Sequence, residues 1–240
     1  MLNEVDVRDI IFLDIETVPQ FATFKELPQK FQELWDKKSS QFRGEDQDAS
    51  QAYERAGIYA EFGKIVCISV GIFTKEKDPG GFRLKSYSGK DEKEILLGFA
   101  DMLKKYSERR NLFLCAHNGK EFDFPYIARR MLINDIKLPA LLDNGGRKPW
   151  EIRHLDTMEL WKFGDYKHYT SLDLLTTIFD IPSPKGDMDG SKVAKVYWEE
   201  EDIERISKYC QNDVLAIAQL ILRYKGLPLI PEDKVEIVTE

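Results

Sequence analysis

Cysteine and histidine are scarce: three of each in 240 residues. Cys67, Cys115 and Cys210 show no Cys-x-x-Cys spacing, and all fall in predicted core elements. They read as reduced structural thiols, with little prospect of a disulfide framework or a zinc site. His117, His154 and His168 have no metal-ligand spacing. A Gly-rich phosphate loop is also missing, as is any Ser or Cys nucleophile context. These gaps lower the standing of zinc hydrolases, kinases and acyl-transfer enzymes. The longest apolar stretch, Ile65 to Phe73, is far too short to span a bilayer, so no membrane partner is expected. No signal peptide precedes the first predicted strand, and a cytoplasmic location is the expectation. There is no internal repeat and no low-complexity segment.

A basic excess is missing too. The net charge of −7 argues against long-range electrostatic capture of duplex nucleic acid. It does not argue against a site that holds anionic groups through metal ions, because bound cations would invert the local potential. With 42% hydrophobic and 32% charged residues, the chain has the composition of an ordinary globular protein. Its length suffices for one domain burying about 70–75% of its unfolded surface.

Apolar patterning predicts strands at Ile10–Glu16, Ile65–Phe73, Phe82–Tyr87 and Leu112–Ala116, with Leu155–Thr157 as a further candidate. Helices are predicted near Asp91–Tyr106, Phe124–Leu132, Leu172–Phe179, Ser191–Trp198 and Glu201–Tyr224. The short Lys77-Asp78-Pro79-Gly80-Gly81 turn suggests an antiparallel hairpin. The Leu112 strand, reached through a helix, is better placed parallel to the first. The expected fold class is therefore α/β, a mixed sheet flanked by helices in one domain spanning 1–240. A polar insertion at about 20–63 carries two amphipathic segments, around Gln29–Lys37 and Asp48–Ala56. It is either a lid over the end of the first strand or a peripheral helical cap on the sheet.

Acidic residues stand where an idle carboxylate is costly. In Ile10-Ile11-Phe12-Leu13-Asp14-Ile15-Glu16-Thr17-Val18, alternation puts Phe12, Asp14 and Glu16 on one side. The two carboxylates are then about 7 Å apart along the strand. Like charges at the end of a core strand need a neutralising cation. Asp123 falls in the first turn of a helix just past the carboxyl end of the Leu112 strand, where open α/β sheets place ligands. Tyr209 and Asp213 are i and i+4 on the last helix, with Cβ atoms about 6 Å apart.

Asp-x-Glu on a strand, Asn-x3-Phe-Asp after a second strand and Tyr-x3-Asp on a late helix resemble the three exonuclease motifs of the DEDD (DnaQ-like) superfamily. The resemblance spans about Ile10 to Leu222. It is closest to the 3'→5' exonuclease domains of family B DNA polymerases, and within that group to the stand-alone bacterial exonucleases related to them. Lys208 occupies the position of the histidine subtype's His, while Tyr209 fits the tyrosine subtype. The resemblance implies a ribonuclease H-like fold and two divalent cations, Mg²⁺ or Mn²⁺. It further implies hydrolysis from the 3' end of single-stranded DNA, releasing nucleoside 5'-monophosphates. Asp14 would bridge both ions. Glu16 and Asp213 would complete one, Asp123 would hold the other, and Tyr209 would orient the attacking water.

Other candidates have two readings each. Asn118 either contacts the terminal nucleotide or simply forms an Asn-Gly turn. Phe122 is a stacking platform or a core residue, and Lys185 is a candidate phosphate contact. Asp156 is an acid at a strand end without a matching motif, and reads as structural. The segment 147–169 interleaves basic residues with Trp150, Trp161, Phe163, Tyr166 and Tyr169. It is a single-strand-holding surface or a solvated loop with anchoring aromatics. The rival functions are a 3'→5' exoribonuclease of the same superfamily and a catalytically inactive nucleic-acid-binding module. A polymerase or repair protein in trans is the conceivable protein partner.

Overall fold

The apolar run at the start of the chain forms the central strand. In the computed structural model, which describes residues 4–74, 81–106, 111–165, 169–182 and 188–238, β1 covers Ile10–Pro19. Its side chains alternate as strand geometry requires. Ile11, Leu13 and Ile15 enter one buried cluster, while Ile10 and Phe12 enter another on the opposite face. β2 (Gly63–Phe73) pairs antiparallel with β1, and β3 (Phe82–Ser88) antiparallel with β2. The predicted hairpin is present. Its turn residues 77–80 lie outside the described residues.

β4 (Phe113–Ala116) runs parallel to β1, and β5 (Leu155–Asp156) parallel to β4. β6 (Val235–Val238) adds an edge parallel to β3. The sheet order is β5-β4-β1-β2-β3-β6, and β2 alone runs against the rest. The five strands without β6 form the ribonuclease H-like arrangement. The mixed sheet flanked by helices is as expected; β6 is a strand that patterning did not reveal.

Helices α2 (Glu92–Tyr106) and α3 (Asp123–Ile133) cover the Ile11/Leu13/Ile15 face. The opposite face receives α7 (Ile203–Tyr224), whose Val214, Ile217, Ala218 and Ile221 pack on Ile10, Phe12 and Phe82. Asp202 caps α7, its carboxylate accepting the Arg205 N–H at 3.0 Å. Gly71, paired with Phe12, lets α7 come close to the sheet. A Cβ there would lie 2.3 Å from the Phe82 ring and 2.8 Å from Val214 Cγ1.

The insertion carries α1 (Gln29–Ser39) and a 3-10 helix at Gln51–Ile58 in place of the second amphipathic segment. Both wrap Trp35, which is fully buried among Phe42, Tyr53, Tyr59 and Phe62. The unit is tied to α3. Tyr126 Oη donates to Gly57 O at 2.8 Å, and Arg130 Nη1 to Ala60 O at 2.8 Å. The smaller helices are α4 (Thr157–Lys162), α5 (Leu172–Ile178) and α6 (Val193–Lys195). The expected Ser191–Trp198 helix is broken into a 3-10 turn, α6 and a π-helical turn at Val196–Glu200 that ends at left-handed Glu201.

Candidate active site

Three elements deliver the acids. Asp14 and Glu16 lie on the β1 face that looks toward α7, where Val18 packs against Cys67, Ile206 and Cys210. Strand pairing between β1 and β4 stops at Phe12 and Cys115, which leaves the N–H of Ile15 without a sheet partner on that side. Asp123, in the first turn of α3, takes it up: Oδ1 accepts from Ile15 N at 3.2 Å. That bond fixes the α3 carboxylate beside β1. α7 supplies Tyr209 and Asp213 from successive turns.

The four carboxylates act on one another electrostatically. Burial raises Asp14 well above its ordinary value, and the charges of Asp123, Glu16 and Asp213 raise it further. Glu16 is raised by burial and then by Asp213, Cys67 and Asp123. Asp123 is pushed up to about 7, chiefly by burial. Asp213 rises to about 6 for the same reason, although the Tyr209 hydroxyl beside it draws it down. Tyr209 is in turn held protonated by burial and by Asp213, Glu16 and Asp14. Such a set titrates as a unit. Among the described residues, no lysine or arginine forms an ion pair with any of the four.

Among the described residues the donor set is therefore all-carboxylate, buried at Glu16 and Asp123, half-buried at Asp14 and Asp213, and without a paired lysine or arginine. Hard divalent cations such as Mg²⁺ or Mn²⁺ take oxygen ligands of this kind, so the residues present fit them. Phosphoryl oxygens arriving at such a centre would find it repulsive without cations and attractive with them.

Of the supporting candidates, Asn118 has φ of 60°, the left-handed conformation an Asn-Gly turn uses. Its Oδ1 is buried, with no hydrogen-bond partner among the described residues. Phe122 is half-buried against the α2/α3 cluster, its ring tilted on Tyr126 at 5.3 Å, so it sits on the core side. Lys185 lies outside the described residues, as do Tyr166, Lys167 and His168. Trp161 packs between Phe179 and Tyr224 and is an anchor. Trp150, Phe163 and Tyr169 are exposed by 77%, 92% and 68%. The same segment thus contains both an anchored and a free aromatic set.

Two residues near the site had no motif to betray them. Asp156 is fully buried and accepts the N–H groups of Asn118 at 3.0 Å, Lys120 at 3.1 Å and Met158 at 2.9 Å. It caps α4 and pins the loop that leads to Asp123, which is the structural part expected of it. Cys210 belongs to the apolar stripe Ile206, Cys210, Val214 of α7, which disguised it as a core thiol. Its Sγ donates to Asp14 O at 3.3 Å and lies 3.4 Å from Asp14 Oδ2.

The fold and site thus define a mixed α/β sheet with acids clustered at its central strand, a donor set suited to divalent cations. Over residues 58–228, most of its length, the chain matches the family described as "Predicted 3'-5' exonuclease related to the exonuclease domain of PolB". The protein belongs to that family. The matched stretch holds Asp123, Tyr209 and Asp213, while Asp14 and Glu16 precede it. Among solved structures the chain is similar to the family B DNA polymerase of the hyperthermophilic archaeon Pyrobaculum calidifontis. Identity is 16%, the TM-score 0.47, with 90% of this chain and 24% of that one covered. The chain thus spans about a quarter of that polymerase. Among the described residues, no helix is long and apolar enough to cross a membrane.

Proposed function

We propose that the protein is a 3'→5' exonuclease that hydrolyses single-stranded DNA from the 3' end with two divalent cations, Mg²⁺ or Mn²⁺, releasing nucleoside 5'-monophosphates. The observation that carries this reading is the convergence of buried Glu16 and Asp123 with half-buried Asp14 and Asp213, without an ion-paired lysine or arginine among the described residues, beside the Tyr209 hydroxyl. Asp14 would hold both ions, Glu16 and Asp213 one of them, and Asp123 the other. Bound cations supply Lewis acidity at the scissile phosphate and at the departing 3'-oxygen. Tyr209 keeps its proton at working pH, so its Oη can donate a hydrogen bond and orient the attacking water. Asn118, at the left-handed turn before Asp123, is the candidate contact to the terminal nucleotide. Trp150, Phe163 and Tyr169 expose the aromatic faces on which unpaired bases stack. Lys148 Nζ lies 5.2 Å from the Trp150 ring centre.

The test uses 5'-labelled single strands of DNA and RNA in Mg²⁺ or Mn²⁺, with products resolved by length. A descending ladder from DNA, abolished by EDTA and slower on blunt duplex, is expected. Cleavage that persists in excess EDTA, or first release of the labelled 5'-terminal mononucleotide, would contradict the proposal. Faster cleavage of RNA would replace DNA by RNA as the substrate and leave the chemistry unchanged.

A further inference from the structure

Cys210 has no part in the exonuclease reading, yet it is the nearest polar side-chain contact that Asp14 makes. The thiol is fully buried one residue after Tyr209 and three before Asp213. One donor atom each from Asp14, Glu16 and Cys210 lie within 4.8 Å of one another. Around a four-coordinate cation with bonds of about 2.0–2.3 Å, neighbouring donors stand about 3.5 Å apart. The 3.4 Å between Cys210 Sγ and Asp14 Oδ2 already meets that spacing. Glu16 provides the independent observation. It is only 7% exposed, and its carboxylate has no hydrogen-bond or ion-pair partner among the described residues. An acid so little exposed and without a protein partner is available to coordinate a cation.

We propose that Asp14, Glu16 and Cys210 form a mixed oxygen–sulfur site for a borderline-soft divalent cation of the Zn²⁺ class, overlapping the place where the same carboxylates would hold Mg²⁺ or Mn²⁺. The inference rests on the reading of these carboxylates as cation ligands. Mg²⁺ has no use for the sulfur, whereas Zn²⁺ and Co²⁺ bind thiolate readily and stand above Mn²⁺ in intrinsic affinity. Binding forms an S–metal bond and releases the thiol proton, which passes to the Asp14 oxygen it already faces and then to solvent. Cys67 is the other thiol nearby. Its Sγ faces Ser69 Oγ at 3.6 Å and Ser207 Oγ at 3.9 Å. Cys115 is on β4, buried against the Phe12 side of the sheet. A Zn²⁺-class ion in the mixed site would thus compete with the activating cations.

The full-length, metal-stripped protein would be titrated with Co²⁺ alone, a spectroscopic stand-in for Zn²⁺. A near-ultraviolet sulfur-to-cobalt charge-transfer band saturating at one equivalent is expected. It should survive in Cys67→Ser and Cys115→Ser, vanish in Cys210→Ser, and be displaced by Zn²⁺. Absence of the band from the wild type, or its persistence in Cys210→Ser, overturns the proposal. If Cys210→Ser does not fold, Asp14→Asn keeps the thiol and removes one oxygen donor. Co²⁺ affinity should then fall about 10–100-fold, and an unchanged affinity overturns the site. Mg²⁺-dependent cleavage by the wild type is scored separately. Cleavage without the band rejects the thiol ligand and keeps the exonuclease. A band without cleavage rejects the exonuclease and keeps the mixed cation site.

Discussion

Stability of the cation-free protein should fall between pH 7 and pH 8, the reverse of what salt-bridged carboxylates produce. The folded state raises all four acids, Asp123 to about 7, Asp213 to about 6, and Asp14 and Glu16 well above their ordinary values. The folded protein therefore binds more protons than the unfolded chain in this window. The penalty of burying the charges is absent below the ordinary carboxylate range and complete once pH passes the folded pKa values. Each excess proton makes stability decline by about 1.4 kcal/mol per pH unit. Asp14 and Glu16, both raised well above their ordinary values, act in the same direction. The buried histidines oppose the trend weakly. His117 and His154 are pushed down by burial, His154 to about 4, so both are neutral in the fold throughout the window. The unfolded histidines bind only about a quarter of a proton each at pH 7, which follows from their ordinary value. For a chain of this size, 1 kcal/mol corresponds to about 2–4 °C. In EDTA, the melting temperature at pH 8 should then be about 3–6 °C lower than at pH 7 for each proton retained. Saturating Mg²⁺ or Mn²⁺ should remove most of the decline, since the cations replace the protons. Calorimetry or intrinsic fluorescence melts at both pH values, with and without EDTA, measure it. A cation-free melting temperature that is flat or rises from pH 7 to pH 8 would refute the shared buried site.

Tyr209→Phe should lower turnover by about 10²–10⁴-fold in single-turnover assays while calorimetric Mg²⁺ affinity stays the same; wild-type turnover would reduce Tyr209 to a packing residue. Asp156→Ala should strand the N–H groups of Asn118, Lys120 and Met158, costing about 2–4 kcal/mol in denaturant melts. A loss under 1 kcal/mol would mean that water replaces the carboxylate at little cost. Arg130→Met should destabilise by about 3–5 kcal/mol, because buried Glu92 would lose the guanidinium whose Nε donates to it at 2.8 Å. An Arg130→Met, Glu92→Leu double variant recovering part of that loss would assign the cost to the orphaned acid.

The period-2 run of β1 was enough to put Asp14 and Glu16 on one face, because alternation is a local property of any strand. The i, i+4 spacing of Tyr209 and Asp213 on α7 was equally local, and so were Asp123's place after β4 and the amphipathic stripe of α7. β6 was not legible: four residues with no strong alternation gain their strand identity from β3, some 150 positions earlier. The break at Val196–Glu200 was hidden too, since its residues suit an ordinary helix and only the left-handed Glu201 that follows marks the end. The second insertion segment reads as helical, yet closes as a 3-10 turn so that Tyr53 and Tyr59 can surround Trp35.

Local chemistry thus settled which residues are acids on exposed ends of core elements, and which faces they take. The tertiary structure alone decided that these ends meet. The Asp123 carboxylate reaches the Ile15 N–H because β4 stops short of it, a fact about pairing and not about either segment. Gly71 admits α7 to the sheet, which is why Cys210 lies against Asp14 and is not just one more apolar position in a stripe. Contacts across nearly 200 residues of chain depend on packing distances, and no periodicity carries those.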